Sequence, residues 1–178
     1  ERSTTIQLLD NAAALAERLS YLTAELFVEA LPKIEAAGPG LEAERLSQLA
    51  VQPQPDEGIT LARLLTKDDY RINWNERALA IHRKVMGLFP GAHCSWRGKR
   101  LKLLATEPLV ARLADQLSPE AAALSQGQWP AAEPGSVLES VRGVGLVLAT
   151  SGCPILLRQA QLEGKAASSG DALIQQLS

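Results

Sequence analysis

The spacing of apolar residues in this chain changes at Pro90 and Gly91. Upstream of this point, apolar residues recur every three or four positions, which is the spacing of one helix face. Downstream, they alternate with polar residues, which is the spacing of half-buried strands. A chain patterned in this way forms helices first and a sheet afterwards. The sequence therefore predicts an α+β fold.

The upstream part is predicted to contain two main helices with a short one between them. Asp10 is a suitable N-cap for the first helix, because its carboxylate can accept a free backbone N–H. This helix is expected to end before Gly38-Pro39-Gly40, and a short helix is expected over 41–49. Asn75 is a suitable cap for the second helix, which continues to Phe89. The first helix has one apolar face and little chain before it, so its packing partner is expected upstream.

The downstream part is predicted to form a small sheet. The residues Arg97-Gly98-Lys99 are typical of a hairpin turn. Residues 108–134 are expected to form a loop that holds a short helix at 119–124, and a last helix is expected over 170–177. Short strands after a helical part favour a small β-barrel of the OB kind, and an ordinary five-stranded sheet fits the same pattern. The expected strands are 92–97, 100–106, 135–141, 145–150 and 154–161.

Charge is distributed unevenly along the chain, although its formal total is only −2. Residues 63–112 hold eleven Lys and Arg against four Asp and Glu, whereas the segments on either side have net charges of −6 and −3. A basic block of this kind concentrates positive potential on one region, which favours an anionic partner. The charge pattern alone also fits a solvated surface.

Several classes of protein are not indicated. The longest apolar stretch, 144–150, is far shorter than the roughly 20 residues that cross a bilayer, so no membrane association is expected. Cys94 and Cys153 have no metal-ligand spacing, and we assign no metal site. The simplest prediction is a cytoplasmic, reduced, monomeric protein. The chain begins at Glu1 without a start Met, so we expect it to be part of a longer protein.

Several short motifs carry a resemblance to a known family. Residues 58–74 read GITLARLLTKDDYRINW. This stretch resembles the linker and domain entry of the methionyl-tRNA formyltransferases, in which a G-x-T-x-A…L-[ST]-K-[DE]-[DE]-x-x-I-[DN]-W pattern is expected. The likeness covers almost the whole chain, because further matches follow in the right order. They are Ala80–Arg83, Pro90–Ala92, Gly98–Lys102, Pro134–Val137 and Gln161–Lys165.

The resemblance implies three parts and a role for each. Residues 1–50 would be the terminal helical part of the catalytic domain, residues 51–66 an interdomain linker containing Pro53 and Pro55, and residues 67–178 an OB-like tRNA-binding domain. The whole enzyme would transfer a formyl group from 10-formyltetrahydrofolate to the methionyl amino group of initiator tRNA. The family's catalytic Asn, His and Asp would lie upstream. The segment is thus expected to hold no catalytic or cofactor-binding residue and to be inactive alone.

What remains is the part that, by resemblance, holds initiator methionyl-tRNA. Cations there would neutralise phosphates and position the RNA rather than read its sequence. The chain departs from the family pattern at Leu64, at Asn73 and over 85–90, which looks two residues shorter than usual. The expected tRNA-binding residues are Lys67, Arg71, Arg83, Lys84, Arg97, Lys99, Arg100, Lys102 and Lys165.

Other interpretations of the chain stay open at this point. The segment could be the corresponding domain of another formyl-folate enzyme, acting on a nucleotide sugar or on the folate itself, or a stand-alone OB-type binding module. Trp74 and Trp96 are expected in the core, because aromatic residues dominate small cores. His82 is expected to be partly buried and hydrogen-bonded, and both cysteines are expected to act as small hydrophobic residues.

Overall fold

The structure is a computed structural model that describes residues 1–52 and 57–178. Part of the expected linker, residues 53–56, lies outside the described residues. The chain divides into two compact units, one formed by Glu1–Thr5 with Ala16–Leu65 and the other by Ile6–Leu15 with Thr66–Ser178. The helices are α1 (Ala12–Ala36), α2 (Glu42–Gln48), α3 (Ala78–Gly87), α4 (Pro119–Ser125) and α5 (Gly170–Leu177), with 3-10 turns at Lys67–Tyr70 and Ala111–Gln116. The strands are β1 (His93–Trp96), β2 (Lys99–Pro108), β3 (Val137–Val141), β4 (Gly145–Leu148), β5 (Ile155–Leu162) and β6 (Ser168–Ser169).

Helix α1 begins one residue later than the sequence indicates. Asn11 caps it, since Asn11 Oδ1 accepts the backbone N–H of Ala14 at 2.9 Å. The Asp10 carboxylate instead accepts the N–H of Gln7 at 2.8 Å, in the turn before the helix. The prediction that Asp10 is the cap is therefore wrong, because the preceding turn uses this carboxylate.

The first unit is helical and leaves much of its apolar surface uncovered. Large apolar residues of α1, among them Tyr21, Phe27 and Leu31, are exposed. Arg2 forms ion pairs with Glu25 and with Glu29 on the same helix. The apolar face that predicted this helix is present, but the described part of this unit does not bury it.

Helix α3 begins at Ala78, with Arg77 at its N-cap position. Asn75 is not the cap, which corrects the prediction. The reason is local: Asn75 lies in a turn in which Asn73 Oδ1 accepts the Asn75 N–H at 3.1 Å. Within the part of the chain that the structure describes, no side chain caps the first turn of α3.

The strands form one antiparallel sheet in the order β1-β2-β5-β4-β3. All five predicted strands are present, and the α+β class is confirmed. Within the described residues, β1 and β3 do not pair, so the OB-like barrel is not closed. The edge of β5 beyond Leu157, where β4 no longer pairs with it, is covered by β6 at Gln159 and Ala160. The short β6 was not predicted.

Both faces of the sheet are covered. Leu146 and Leu148 of β4 point into a core formed with α3 and α5, whereas Val147 between them points into a second cluster with Ala121 of α4. A strand that is buried on both faces is apolar without alternation, which explains the continuous run of β4. Trp129 packs on the second cluster.

A buried histidine, His82, lies in this second unit beside the buried Thr106. The His82 side chain is fully buried, with Nε2 2.7 Å from Leu8 O and Nδ1 3.1 Å from Thr106 Oγ1. A carbonyl oxygen can only accept, so Nε2–H donates to Leu8 and Nδ1 accepts from Thr106. Burial lowers the pKa of His82, although the hydrogen bond to the Leu8 carbonyl acts in the opposite direction. The expectation of a hydrogen-bonded His82 is confirmed.

Across the described ranges, no helix is long and apolar enough to span a membrane.

Candidate nucleic-acid interface

The predicted turn between β1 and β2 is confirmed, and it places cations at the sheet edge. Trp96 pairs with Lys99, so Arg97 and Gly98 form a two-residue loop. Both have positive φ angles, of 47° and 77°. This conformation matches the right-handed twist of a hairpin, and glycine adopts it at no steric cost.

The hairpin presents its cations by alternation along β2. Leu101 and Leu103 are buried in the core, whereas Arg100 is exposed and Lys102 is half-buried. Neighbouring side chains of a strand point to opposite faces. The two apolar residues therefore hold the strand, and the two cations lie on its other face.

Three of the predicted cations share a cleft of about 550 Å³, here called the hairpin cleft. Arg71 follows the 3-10 turn at Lys67–Tyr70 and reaches this place because its backbone is bridged to His93 of β1. Lys99 and Arg100 come from the start of β2. The cleft is lined by Arg71, Ile72, Trp74, His93, Cys94, Ser95, Gly98, Lys99, Arg100 and Glu163.

The hairpin cleft also contains a histidine and a glutamate that were not among the predicted tRNA-binding residues, His93 and Glu163. The His93 ring lies with Nδ1 3.1 Å from Gly91 O, so Nδ1–H donates and Nε2 is left as the acceptor of the neutral ring. Glu163 contributes a carboxylate to the cleft. Glu163, Arg100 and Lys102 also line an adjoining cavity of about 130 Å³. Four predicted cations thus lie in one continuous region, with one carboxylate among them.

Two other predicted residues have partners within the protein. Lys84 Nζ donates to Arg71 O at 3.2 Å and lies 3.9 Å from Glu76 Oε1. The Arg97 guanidinium donates to Ser178 O at 2.8 Å and lies over the Trp96 ring, 5.6 Å from its centroid. Both groups therefore stabilise the surroundings of the hairpin and are less free to bind an anion.

Lys67 and Lys165 are exposed outside the cleft. Lys67 lies in a 3-10 turn that Thr66 and Asp69 hold by a capping box. The backbone of Lys165 is tied to the end of β5, since its N–H donates to Leu162 O at 2.9 Å. Their backbones are fixed, and their ammonium groups are presented to solvent.

Arg83 lies in a different place from the other predicted residues. It lines a second cleft, of about 520 Å³, together with two arginines that were not selected from the sequence. We call this the arginine cleft. Its lining residues are Arg77, Ala78, Leu79, Ala80, Arg83, Val110, Arg112, Ser151, Gly152 and Cys153.

The two cysteines and the two other tryptophans have clear environments. Cys94 and both Trp74 and Trp96 pack against the core, as expected. Burial raises the pKa of the Cys94 thiol to about 11, so this thiol is unreactive. Cys153 is exposed, and the expectation that it acts as a small buried residue is wrong. It lies in the loop before β5, where Thr150 Oγ1 donates to Cys153 O at 2.8 Å. No group of three metal-ligating side chains occurs among residues 1–52 and 57–178.

Comparison with known proteins gives the same family over most of the chain. The family model described as the formyl transferase C-terminal domain matches residues 64–178. The methionyl-tRNA formyltransferase of Synechococcus sp. (strain RCC307) is 87% identical over all of this chain, which covers 54% of that protein. The enzyme of the same name from Synechococcus sp. (strain WH7803) is 61% identical over 99% of this chain and 52% of its own length. The chain thus spans about half the length of these curated relatives.

Solved structures give a match in fold. A crystal structure of a variant of HypX from Aquifex aeolicus superposes with a TM-score of 0.64 at 16% identity, covering 98% of this chain and 26% of that one. A second HypX variant superposes with a TM-score of 0.63 at 15% identity, covering 99% of this chain and 28% of that one. At this identity the likeness concerns the fold alone.

Proposed function

Because the chain belongs to the formyl transferase C-terminal domain family, we propose that it is the tRNA-holding C-terminal part of a methionyl-tRNA formyltransferase. The whole enzyme transfers the formyl group of 10-formyltetrahydrofolate to the methionyl amino group of initiator tRNA. In this proposal, residues 1–50 end the catalytic domain, 51–66 form the linker and 67–178 form the tRNA-binding domain. The enzyme works as a cytoplasmic monomer.

The observation that carries the proposal is the grouping of cations at the hairpin cleft. Arg71 comes from the turn before α3, whereas Lys99, Arg100 and Lys102 come from β2. A phosphodiester that enters the cleft meets guanidinium and ammonium donors from two chain segments, and it releases the counterions that it carried. Contacts of this kind position an RNA and carry no base information. The domain therefore orients the tRNA body, and the upstream domain performs the chemistry.

The carboxylate of Glu163 gives the hairpin cleft a second property. It occupies the same surface as Arg100 and Lys102, so it repels a phosphate that approaches the end of β5. A surface that holds both cations and a carboxylate restricts the direction in which an RNA backbone can bind.

The first test is a titration of the 178-residue chain with initiator tRNA at low and at physiological salt. Wild-type protein should bind the tRNA more weakly as salt rises, because counterion release drives the binding. The variant Lys99→Gln/Arg100→Gln should bind more weakly still, and the slope of log K against log salt should fall by about 1 to 2. The control is Lys33→Gln/Arg142→Gln, which removes the same charge from exposed positions outside both clefts.

Each result has a definite meaning. Absence of tRNA binding at low salt overturns the proposed function and favours an enzyme that acts on a nucleotide sugar or on folate. Equal binding by the hairpin variant and the control overturns the assignment of the hairpin cleft. Weaker binding by the hairpin variant alone supports both.

A separate assay tests the proposal that the upstream domain holds the catalytic residues and this chain holds the tRNA. With 10-formyltetrahydrofolate and methionyl-tRNA as substrates, the whole enzyme should form formylmethionyl-tRNA and the 178-residue chain should not. Turnover by the chain alone would contradict the placement of the catalytic residues upstream.

A further inference from the structure

The arginine cleft differs from the hairpin cleft in its charge. Arg77, Arg83 and Arg112 line it, and its lining residues include no carboxylate. Within residues 1–52 and 57–178, none of these three guanidinium groups has an ion-pair or hydrogen-bond partner. By contrast, Arg158 in the same unit pairs with Glu107 and Glu120. Three unpaired guanidinium groups around one cavity raise its positive potential and favour an anion.

Three segments hold the walls of the arginine cleft in place. The loop before β5 is tied to the turn before α3, because Ser151 N–H donates to Glu76 O at 3.2 Å. The segment after β2 is tied to the same loop, because Leu109 N–H donates to Pro154 O at 2.9 Å. The cavity of about 520 Å³ is therefore framed by backbone hydrogen bonds rather than by mobile side chains alone.

The chemistry of the lining residues selects the ligand class. Guanidinium groups bind phosphate through paired N–H donors, and they stay charged at any working pH. The first turn of α3 lines the same cleft without a side-chain cap, so its N–H groups add to the positive potential. All three arginines are exposed, which suits a phosphate that is part of a larger polyanion more than a small ligand that must be enclosed.

The two clefts are related through α3. Lys84 on this helix reaches Arg71 of the hairpin cleft, whereas its neighbour Arg83 lines the arginine cleft. Adjacent residues of a helix point in different directions, about 100° apart. The two basic clefts therefore lie on different sides of one helix that is roughly 10 Å across. One folded RNA is large enough to contact both.

We propose that the arginine cleft binds a backbone phosphate of the tRNA and is a second anchor, separate from the hairpin cleft. This inference rests on the proposed function. It adds Arg77 and Arg112 to the RNA-binding residues, and it assigns Arg83 to a different contact from that of Lys99 and Arg100. With two anchors on different sides of α3, the RNA is fixed in orientation as well as in position.

Cys153 allows a direct test, because its exposed thiol lines the arginine cleft. N-ethylmaleimide forms a thioether with a thiolate, and mass spectrometry of the 178-residue chain measures the rate at Cys153. Saturating initiator tRNA at low salt should slow this rate at least fivefold, roughly as expected for a thiol that is covered most of the time. Cys94 is half-buried, and burial raises the pKa of its thiol to about 11, so it should react far more slowly than Cys153 with or without tRNA.

A charge variant gives the second measurement. Arg83→Gln/Arg112→Gln should weaken tRNA binding several-fold and lower the salt slope by about 1. The matched control is again Lys33→Gln/Arg142→Gln. Combined with Lys99→Gln/Arg100→Gln, the losses in binding free energy should add, because the two clefts do not share these residues. Unfolding by urea checks that both variants are as stable as wild type.

The outcomes separate this inference from the proposed function. Suppose that tRNA binds the wild-type chain but does not slow the modification of Cys153, and that the Arg83→Gln/Arg112→Gln variant binds tRNA as tightly as the control does. Then only the second anchor is overturned. If inorganic pyrophosphate protects Cys153 and tRNA does not, the cleft takes a small phosphate ligand and the RNA anchor is overturned. If no tRNA binds, both proposals fail. Protection by tRNA together with a weakened variant supports the second anchor.

Discussion

The backbones of Arg100 and Glu163 hold the carboxylate of Glu163 beside the basic hairpin. The Arg100 N–H donates to Glu163 Oε2 at 3.1 Å, and the Glu163 N–H donates to Arg100 O at 2.9 Å. These two residues lie 63 positions apart in the sequence. The carboxylate is therefore built into the surface on which Lys99, Arg100 and Lys102 present their charges.

Replacement of Glu163 by Gln should strengthen tRNA binding. The amide oxygen of Glu163→Gln still accepts the Arg100 N–H, while the negative charge beside the cations is lost. We expect Kd to fall about threefold at low salt, and the gain should shrink at high salt because exposed charges are screened. The control Glu139→Gln removes the same charge from an exposed position of β3 and should bind like wild type. Equal Kd values for Glu163→Gln and the control would contradict the prediction.

The buried His82 should make the stability of the protein depend on pH. Burial lowers the pKa of His82 below its ordinary value of 6.5. When the pH falls below about 6.5, His82 takes up a proton in the unfolded chain but not in the folded protein, and this favours unfolding. The contribution of neutral His82 to the free energy of unfolding is therefore full above about pH 6.5 and is lost as the pH falls below it. Urea unfolding at pH 7.5 and pH 5.5 should show a smaller loss of stability for His82→Gln than for wild type. A loss in His82→Gln as large as the loss in wild type would rule the prediction out.

The ion pair of Glu107 with Arg158 should be the most sensitive charged contact. Glu107 is 3% exposed, and its carboxylate accepts from Ser118 N–H at 2.7 Å, Ser118 Oγ at 2.9 Å and Arg158 at 2.9 Å. Arg158→Met leaves a buried carboxylate without its cation, and we expect a loss of about 3 to 5 kcal/mol in urea unfolding. Glu120→Gln removes the exposed partner of Arg158 and should destabilise the protein far less, because solvent screens an exposed ion pair. Similar losses for the two variants would be inconsistent with this account.

Gly145 should tolerate no side chain. A Cβ at this position would lie 2.1 Å from Leu157 O on the neighbouring strand, where backbone cannot move aside easily. Gly145→Ala should therefore destabilise the protein by about 3 kcal/mol or more, as expected for strain in a packed core. Gly87→Ala is the control, because nothing lies within 4 Å of its Cβ and alanine favours a helix by about 0.5 to 1 kcal/mol. Thermal unfolding measures both, and a Gly145→Ala protein as stable as wild type would refute the prediction.

The residues themselves determined the local structure of this protein. The alternation of Arg100, Leu101 and Lys102 is enough to predict a strand with a buried face and a charged one, because the two-residue period of a strand depends only on backbone geometry. The same holds for the hairpin turn at Arg97-Gly98, which was predicted from residue type. The family resemblance also came from contiguous motifs, which a single sequence displays in full.

Tertiary structure decided which of these elements meet. Arg83 and Lys84 are neighbours in sequence, yet Arg83 lines the arginine cleft whereas Lys84 donates to the backbone of Arg71 beside the hairpin cleft. The carboxylate of Glu163 lies at the hairpin because β5 pairs with β2, and strand order is set by long-range packing on both faces of the sheet. Helix caps depend on competition for donors within a few ångströms, as the use of Asn11 in place of Asp10 illustrates. Local structure can be predicted from composition and spacing, whereas contacts between residues that are distant in sequence form only when the chain folds.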